Sequence, residues 1–320
     1  MANQGTVTFK ENTRAQAKAS IVIEGLSGSG KSGLALLLAT TLAGSEEYVY
    51  AIDTENRSLG LYDGLQMSTG VKMGKFKKFD LQPTLGFKPS IYLEARDIAK
   101  ANGAKAFVSD SITHMWQREG GILEMVSNIE KAATNWRKGW SAWGEPEVIK
   151  EKNAIFNIIR DSDVHCIATV RVKEKFEQTS DTTGKTIIKS LGEQQQQMPD
   201  LKYEADLVLH MVEPGNSAGK PPVARVIKTR YAILEKDVEY QFTEKLMKQI
   251  RDYLNEGVDA ELLKEEQRKD LIATILHIVA TDVSKKTMLP VLLDQIGRKG
   301  SIVEELPLDS LRILLGTLIN

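Results

Sequence analysis

The sequence has few of the residues that mark secreted, membrane-spanning or metal-binding proteins. Its 320 residues contain one cysteine, Cys166, which excludes a disulfide framework and whose apolar neighbours suit a buried, inert thiol. The four histidines show no metal-ligand spacing. No apolar run approaches the length of a membrane-spanning helix, and the polar amino terminus does not resemble a signal peptide. These absences predict a cytoplasmic protein that makes no membrane contact.

The chain also lacks an excess of charge of either sign. Its formal net charge is −1, so any contact with nucleic acid must come from local basic patches rather than from a global field. Hydrophobic residues make up 42% of the chain, which is enough for a large core. The length allows one large domain, or a large domain with a small one.

The most informative stretch runs from Ile21 to Ser32 and matches the pattern G-x-x-x-x-G-K-[ST] between an apolar strand and an apolar helix. In this loop the backbone N–H groups and the helix amino terminus face phosphate oxygens. We expect Lys31 to reach the outer phosphates of ATP and Ser32 to hold Mg²⁺. The predicted nucleotide-binding residues are Gly25, Ser27, Gly28, Ser29, Gly30, Lys31, Ser32 and Gly33.

Two further buried strands end in acidic residues. Glu55 follows the strand Tyr48–Ile52, where it is placed to take a proton from an attacking water, although a solvated strand-end carboxylate explains the spacing equally well. Asp110 ends the strand 106–110 in the form of the second acidic motif of P-loop proteins, whose aspartate holds Mg²⁺ directly or through water. A later strand, 164–170, delivers Arg171 and Lys173 to the same crevice.

Alternating strand and helix patterns predict an α/β core with a mostly parallel central sheet. After about residue 243 the strands stop and helical patterns follow. We therefore divide the chain into a tail at 1–18, a core at 19–245 and a small helical carboxyl-terminal domain at 246–320. The stretch Thr6–Phe9 suits either an edge strand or a frayed end, and the polar, turn-rich segment 173–200 suits either a functional loop or a disordered one.

These motifs, in this order, resemble the RecA-type recombinase ATPase core, and especially the compact RecA-like ATP-binding proteins of phage recombination and annealing. The resemblance covers about residues 19–243. It rests on the P-loop, on Ala51–Glu55 and Val108–Ser111, and on the paired strands 201–209 and 226–230. It implies a RecA-like P-loop fold, with Glu55 as the water-activating base and Asp110 with Ser32 at Mg²⁺.

The resemblance also implies partners. Lys228 and Arg230 occupy positions that reach the ATP of a neighbouring subunit in the family, so we expect a ring or short filament with ATP at subunit interfaces. Segments 112–146 and 173–200 correspond to the two DNA-binding loops, and the residues expected to contact phosphates of single-stranded DNA are Lys173, Lys175, Lys185 and Lys189. A single-strand-binding protein is a further expected partner, and for a phage protein the location is the host cytoplasm.

One departure from the family affects how DNA and ATP communicate. Recombinases carry a sensing glutamine after the central strand, whereas this strand ends Thr169-Val170-Arg171, so either Arg171 takes that role or the coupling differs. The leading interpretation is a Mg²⁺-dependent ATPase that acts on single-stranded DNA in recombination or annealing. The alternative is an ATP-switch loader or partner-binding protein in replication, whose hydrolysis ignores DNA.

Overall fold

The computed structural model describes residues 13–55, 57–65, 73, 75–132, 140–161, 163–180, 186–215 and 220–319; of residues 47, 140–141, 174–180 and 186–192 it describes the backbone alone. Within these residues the chain forms two compact units. The first contains residues 18–254, and the second contains residues 255–319 with the described amino-terminal residues 13–17. The predicted strand at Thr6–Phe9 lies outside the described residues.

The first unit is built on one twisted sheet. In the described chain, the strands are β1 (Ser20–Gly25), β2 (Val49–Asp53), β3 (Lys77–Asp80), β4 (Ala106–Asp110), β5 (His165–Ser180), β6 (Thr186–Gln195), β7 (Leu207–Glu213), β8 (Val223–Thr229) and β9 (Glu239–Gln241). Their order is β3-β2-β4-β5-β1-β7-β8-β9, with β6 paired to β5. From β3 to β7 neighbouring strands are parallel, while β8 and β9 run antiparallel. The predicted α/β core with a mostly parallel sheet is confirmed.

Helices cover both faces of this sheet. They are α1 (Lys31–Ala43), α2 (Pro89–Ala101), α3 (Thr113–Gln117), α4 (Ile122–Ala132), α5 (Trp140–Trp143), α6 (Pro146–Ile159), α7 (Leu201–Glu204) and α8 (Glu244–Leu254). The apolar residues of α1 and α8 pack in one core, and those of α2 and α6 pack in another on the opposite face. Parallel strands buried on both faces explain the continuous apolar runs in β1, β2 and β4.

The second unit is helical. It contains α9 (Ala260–Thr281), α10 (Val283–Gln295) and α11 (Leu308–Ile319), which enclose a small core that includes Ile275 and Leu311. The amino-terminal residues join it through a bond from the N–H of Val258 to the carbonyl of Arg14. Gly257 is required there, because a Cβ would lie 2.2 Å from that carbonyl oxygen.

Three features differ from the expectations. Helix α8 packs in the first unit through Met247, Ile250 and Leu254, so the two units meet after residue 254 rather than at 246. Segment 173–200 is largely a β-hairpin, because strand pairing continues through its polar residues. Segment 112–146 is helical where it is described.

No helix among the described residues is long and apolar enough to cross a membrane.

Candidate active site

The P-loop lies where strand order changes in the sheet, since β1 has β5 on one side and β7 on the other. Residues 26–30 form the turn between β1 and α1, and a cavity of about 220 Å³ borders Gly28, Gly30 and Lys31. Ser32 and Gly33 border it too, at the amino terminus of α1. Backbone N–H groups at a helix start attract phosphate, so the predicted loop has the geometry of an anion site.

Two glycines explain why this turn closes so tightly. Gly30 has φ 88°, and a Cβ on it would lie 3.0 Å from Cα of Pro214. At Gly25 a Cβ would lie 2.6 Å from Oγ of Ser29, which is itself buried. Larger residues at either position would displace the loop.

Lys31 is held inside the loop. Its Nζ donates a hydrogen bond to the carbonyl of Leu26 at 2.7 Å, and the residue is 8% exposed. Burial lowers the pKa of Lys31, while the carboxylates of Asp110 and Glu55 oppose that shift. The ammonium is therefore close to both acidic residues that the sequence singled out.

Asp110 ends β4 in a nearly closed environment. Its Oδ1 accepts a hydrogen bond from the Thr169 hydroxyl, while Oδ2 is buried without a hydrogen-bond partner among the described residues. Burial raises the pKa of Asp110, and the nearby hydroxyls of Ser32 and Thr169 oppose this rise.

This donor set suits Mg²⁺. A free carboxylate oxygen beside a hydroxyl is the protein contribution that Mg²⁺ uses when phosphates and water supply the other ligands. No cluster of three or more His, Cys, Asp or Glu residues in the described chain forms a metal site without phosphate. Ser32 and Asp110 therefore fit the ion only together with a bound nucleotide.

Glu55 follows β2 and lies in a network of side chains. The backbone N–H of Glu55 donates to Oδ1 of Asp53 at 2.8 Å, which fixes the turn that presents it. Its Oε1 accepts from the Ser111 hydroxyl at 3.1 Å. The sequence placed Glu55 near the phosphates, and the structure brings it beside Asp110 and Lys31.

Arg171 binds the Glu55 carboxylate at two points. Its Nε donates to Oε1 at 2.8 Å, and its Nη2 donates to Oε2. Burial alone would raise the pKa of Glu55, but the paired guanidinium outweighs it and the pKa is lowered. Both carboxylate oxygens of Glu55 are thus occupied and its basicity is reduced; we refer to this geometry as the resting arrangement.

Arg171 also connects the site to the hairpin. It lies opposite Gly25 in the pairing of β5 with β1, and β5 continues without interruption from Arg171 into the antiparallel pairing with β6. We refer to residues 172–180 with β6 as the hairpin. A displacement of the hairpin would therefore act directly on the residue that holds Glu55.

Three of the four predicted DNA-contact lysines, Lys173, Lys175 and Lys189, belong to this hairpin. Lys173 is exposed at its base, Lys189 pairs in register with Glu177, and Lys175 lies at the irregularity between Glu174 and Phe176. Lys185 lies outside the described residues. Only the placement of Lys173 is described down to its side chain.

Lys228 and Arg230 lie far from the P-loop of their own chain. Lys228 pairs with Val208 near the amino end of β7, whereas phosphates bind at the carboxyl ends of the strands. The Nζ of Lys228 donates to the carbonyl of Ala205 at 2.6 Å, and Arg230 pairs with Asp206 at 2.8 Å. Neither residue reaches the nucleotide site within one chain.

Sequence reasoning missed two groups of residues at the site. Tyr62, in the 3₁₀ helix Ser58–Tyr62, borders the P-loop cavity with an aromatic ring. Thr54 and His114 join the strand ends, with Oγ1 of Thr54 lying 2.8 Å from Nδ1 of His114. Their signal was weak, because a threonine beside Glu55 and a histidine after Asp110 also suit plain packing.

The arrangement combines a phosphate cradle, a cation site that needs phosphate and a carboxylate restrained by arginine. Together these parts can position a nucleoside triphosphate and activate water against it. A family model described as an AAA domain matches residues 17–241, a range that contains every one of these parts. No curated protein matches the chain.

Proposed function

The chain belongs to the AAA-domain family of P-loop ATPases, and from this premise we propose that it is a Mg²⁺-dependent ATPase acting on single-stranded DNA in homologous recombination or strand annealing. The proposal rests on one observation, that strand β5 runs unbroken from its pairing with the P-loop strand into the hairpin. One strand holds Arg171 against Glu55 and then forms the hairpin with its exposed Lys173.

The hairpin base offers chemistry suited to a nucleotide chain. A cavity of about 370 Å³ lies between the end of α3 and the base of the hairpin, lined by Trp116, Lys173 and the glutamine run 194–197. An indole can stack on a base, an ammonium can meet a phosphate, and amides can hydrogen-bond to base edges. The Nε2 of Gln196 is buried there without a partner in the described chain. This cavity supports a contact with single strands, whose bases are accessible.

Packing in the core accounts for most of the surface of the described tryptophan rings. Trp116 stacks on Trp143 with ring centres 5.9 Å apart, and both pack against the buried core. Trp136 lies outside the described residues, as does the side chain of Trp140. A base can therefore meet Trp116 only on the part of the ring that borders the cavity.

In the proposed reaction the P-loop backbone and Lys31 bind the phosphates. Release of Glu55 from Arg171 frees a carboxylate that takes a proton from the water attacking the γ-phosphate. When Mg²⁺ is bound, held by Ser32 and Asp110, it neutralises phosphate charge. Because DNA at the hairpin displaces β5, hydrolysis increases only when a strand is present.

The proposed assembly places ATP between subunits. Lys228 and Arg230 are too far from their own P-loop, so a catalytic role for them requires a second copy of the chain. Lys228 donates to backbone carbonyls at the end of α7. Arg230 pairs with the carboxylate of Asp206 and donates to the carbonyl of Tyr203. A ring or short filament is the proposed form, and a single-strand-binding protein is a proposed partner.

The direct test is steady-state ATP hydrolysis by the full chain with no DNA, with a single-stranded oligonucleotide and with the duplex of the same sequence. We expect stimulation by the single strand and little effect of the duplex. Equal rates in all three conditions would contradict the DNA-acting function.

The subunit interface is tested by mixing Glu55→Gln with Arg230→Ala subunits. Each is inactive alone, but an interface formed by the intact Glu55 of one and the intact Arg230 of the other restores hydrolysis. Arg225→Ala is the matched control, because Arg225 lies on β8, shortly before Arg230, and is likewise paired with a carboxylate, that of Glu239. No recovery at concentrations where the wild-type protein assembles would argue against the shared site.

The second unit favours one alternative, an ATP-switch loader or partner-binding protein of DNA replication. Its helices expose large apolar side chains, including Val283 at 80% and Val291 at 59%. Such residues are typical of surfaces that meet another protein. Nucleotide-dependent binding of a replication protein, with hydrolysis indifferent to DNA, would favour this function over the first.

A further inference from the structure

His114 belongs to the network of side chains around Glu55, and one of its ring nitrogens is buried. The residue is 4% exposed, and its ring packs on Phe87 with ring centres 5.2 Å apart. In the described chain its Nε2 has no hydrogen-bond partner. Unpaired buried polar atoms are rare in proteins, so this nitrogen needs an explanation.

The surroundings of Thr54 decide which nitrogen of the ring carries the proton. Oγ1 of Thr54 lies 3.1 Å from the carbonyl of Asp110 and 3.2 Å from that of Ser111, and it accepts a bond from the N–H of Ser111 at 2.9 Å. The hydroxyl has a single proton, which it donates to these carbonyls. We therefore assign the 2.8 Å contact between Nδ1 of His114 and Oγ1 of Thr54 to an Nδ1–H that donates to the hydroxyl oxygen.

It follows that Nε2 carries a lone pair and acts as an acceptor. Burial lowers the pKa of His114 to about 4, so the ring is neutral at pH 7. Nε2 lies 3.9 Å from Oε1 of Glu55. Two acceptors at this separation repel each other, and they do not bond directly.

The separation is close to that of two acceptors that share one water molecule. An O–H···acceptor bond spans about 2.8 Å and the two O–H bonds of water diverge by about 105°, so the acceptors of one water lie about 4.4 Å apart. A carboxylate released by Arg171 has to move by only about half an ångström to reach this distance. A water held in this way directs its lone pairs outward, which is the orientation an attacking water needs. A cavity of about 340 Å³, bordered by Thr54, His114 and Arg118, lies beside the ring.

We propose that His114 is a catalytic residue that holds the attacking water together with Glu55. The inference rests on the proposed function, because it takes Glu55 as the base. Oε1 of Glu55 is occupied by Arg171 and Ser111 in the resting arrangement, so the water is held only after Arg171 withdraws.

The reaction then has a defined route for both protons of the water. Its oxygen bonds to the γ-phosphorus as the bond from that phosphorus to the bridging oxygen breaks and ADP leaves. Glu55 takes the proton on its side. The O–H bonded to Nε2 stays with the oxygen and becomes part of the phosphate product.

The test compares three substitutions of His114 in the full chain with ATP, Mg²⁺ and a single-stranded oligonucleotide. His114→Phe keeps the ring and its packing on Phe87 but has no acceptor, His114→Asn has an amide too short to reach the water, and His114→Gln carries an oxygen that reaches it. His277→Phe, on the exposed surface of α9, is the matched control.

We expect kcat to fall at least about 10-fold in the Phe and Asn variants, with an unchanged affinity for ATP, and to recover in the Gln variant. If His114→Asn and His114→Phe both have the kcat of the control, His114 does not hold the attacking water. Should His114→Phe not fold, the contrast between Asn and Gln decides the question alone.

Glu55→Gln separates this inference from the function on which it rests. If Glu55→Gln hydrolyses ATP at the wild-type rate, the assigned base is wrong and the proposed function fails with it. If Glu55→Gln is inactive while all three His114 variants are fully active, only the role of His114 is wrong.

Discussion

The P-loop after β1 and the carboxylate loop after β2 face the same crevice, but different interactions hold them. Backbone geometry fixes the P-loop: glycines that tolerate no Cβ and a lysine bonded to the carbonyl of Leu26. Side chains fix the carboxylate loop, chiefly the contact of Arg171 with Glu55. A backbone turn can bind phosphate without rearranging, whereas an ion pair between side chains can be exchanged. The first half of the site is therefore suited to binding, and the second half to switching.

The largest expected effect is on the binding half. Lys31→Ala removes the ammonium that faces the phosphates, and charge-assisted contacts are worth about 1.5–3 kcal/mol each. We expect nucleotide affinity to fall about 10-fold to 100-fold and turnover to be lost, as measured by fluorescent nucleotide binding and by hydrolysis. Lys248→Ala, which breaks an exposed pair with Glu244, is the control. Retained turnover in Lys31→Ala would contradict the assignment of the P-loop.

Glu55→Gln should separate the two halves. It removes the base but keeps the shape of the side chain, so we expect turnover to fall about 100-fold to 10,000-fold while nucleotide binding stays intact. Glu204→Gln is the matched control, because Glu204 is also a carboxylate paired with an arginine, at 2.7 Å from Arg160. Loss of binding in Glu55→Gln would show that the halves are not independent.

Gly30→Ala tests whether backbone shape alone holds the P-loop. The added Cβ meets Pro214 at 3.0 Å, and the left-handed conformation costs about 1–2 kcal/mol for alanine. We expect a lower unfolding free energy and weaker nucleotide binding. Gly44→Ala has the same positive φ but open space around it, so it should lose stability without losing affinity. Equal affinities in the two variants would contradict the backbone account.

The smallest expected effect concerns His210 beside the P-loop strand. Its hydrogen bond to Glu24 raises the pKa of His210, so the stabilising charge is fully present below the unfolded pKa of about 6.5 and is lost as pH rises through the higher folded pKa. We expect His210→Gln to lower the melting temperature by roughly 2–4 °C at about pH 6 and by less at about pH 9. His277→Gln is the control. A difference between the wild type and His210→Gln that does not change with pH would contradict the ion pair.

Local patterns predicted the elements of the fold well. Helix α8 (Glu244–Leu254) begins where helical patterns were predicted to follow the last strand, after about residue 243, because its apolar residues repeat at helical spacing and no proline interrupts them. The boundary at 246 was wrong because the unit to which a helix belongs depends on packing with distant residues, here with α1. The hairpin was missed for a similar reason, since strand pairing can include polar residues that resemble a loop.

The part of the site that lies within a single continuous motif was predictable from the sequence. Gly30, Lys31 and Ser32 are consecutive, so their spacing alone defines the phosphate cradle. Glu55 and Arg171 are 116 positions apart, and only the sheet order brings them together. No pattern in the sequence indicates that the base is restrained by an arginine.

The most direct test of a switching half is the ratio of ATP hydrolysis with and without single-stranded DNA in the wild type and in Arg171→Gln. Arginine restrains Glu55 through bonds of about 1.5–3 kcal/mol. The account therefore predicts that Arg171→Gln hydrolyses ATP about 10-fold faster than the wild type without DNA and no longer responds to a single strand. A variant that keeps the wild-type ratio would contradict the switch.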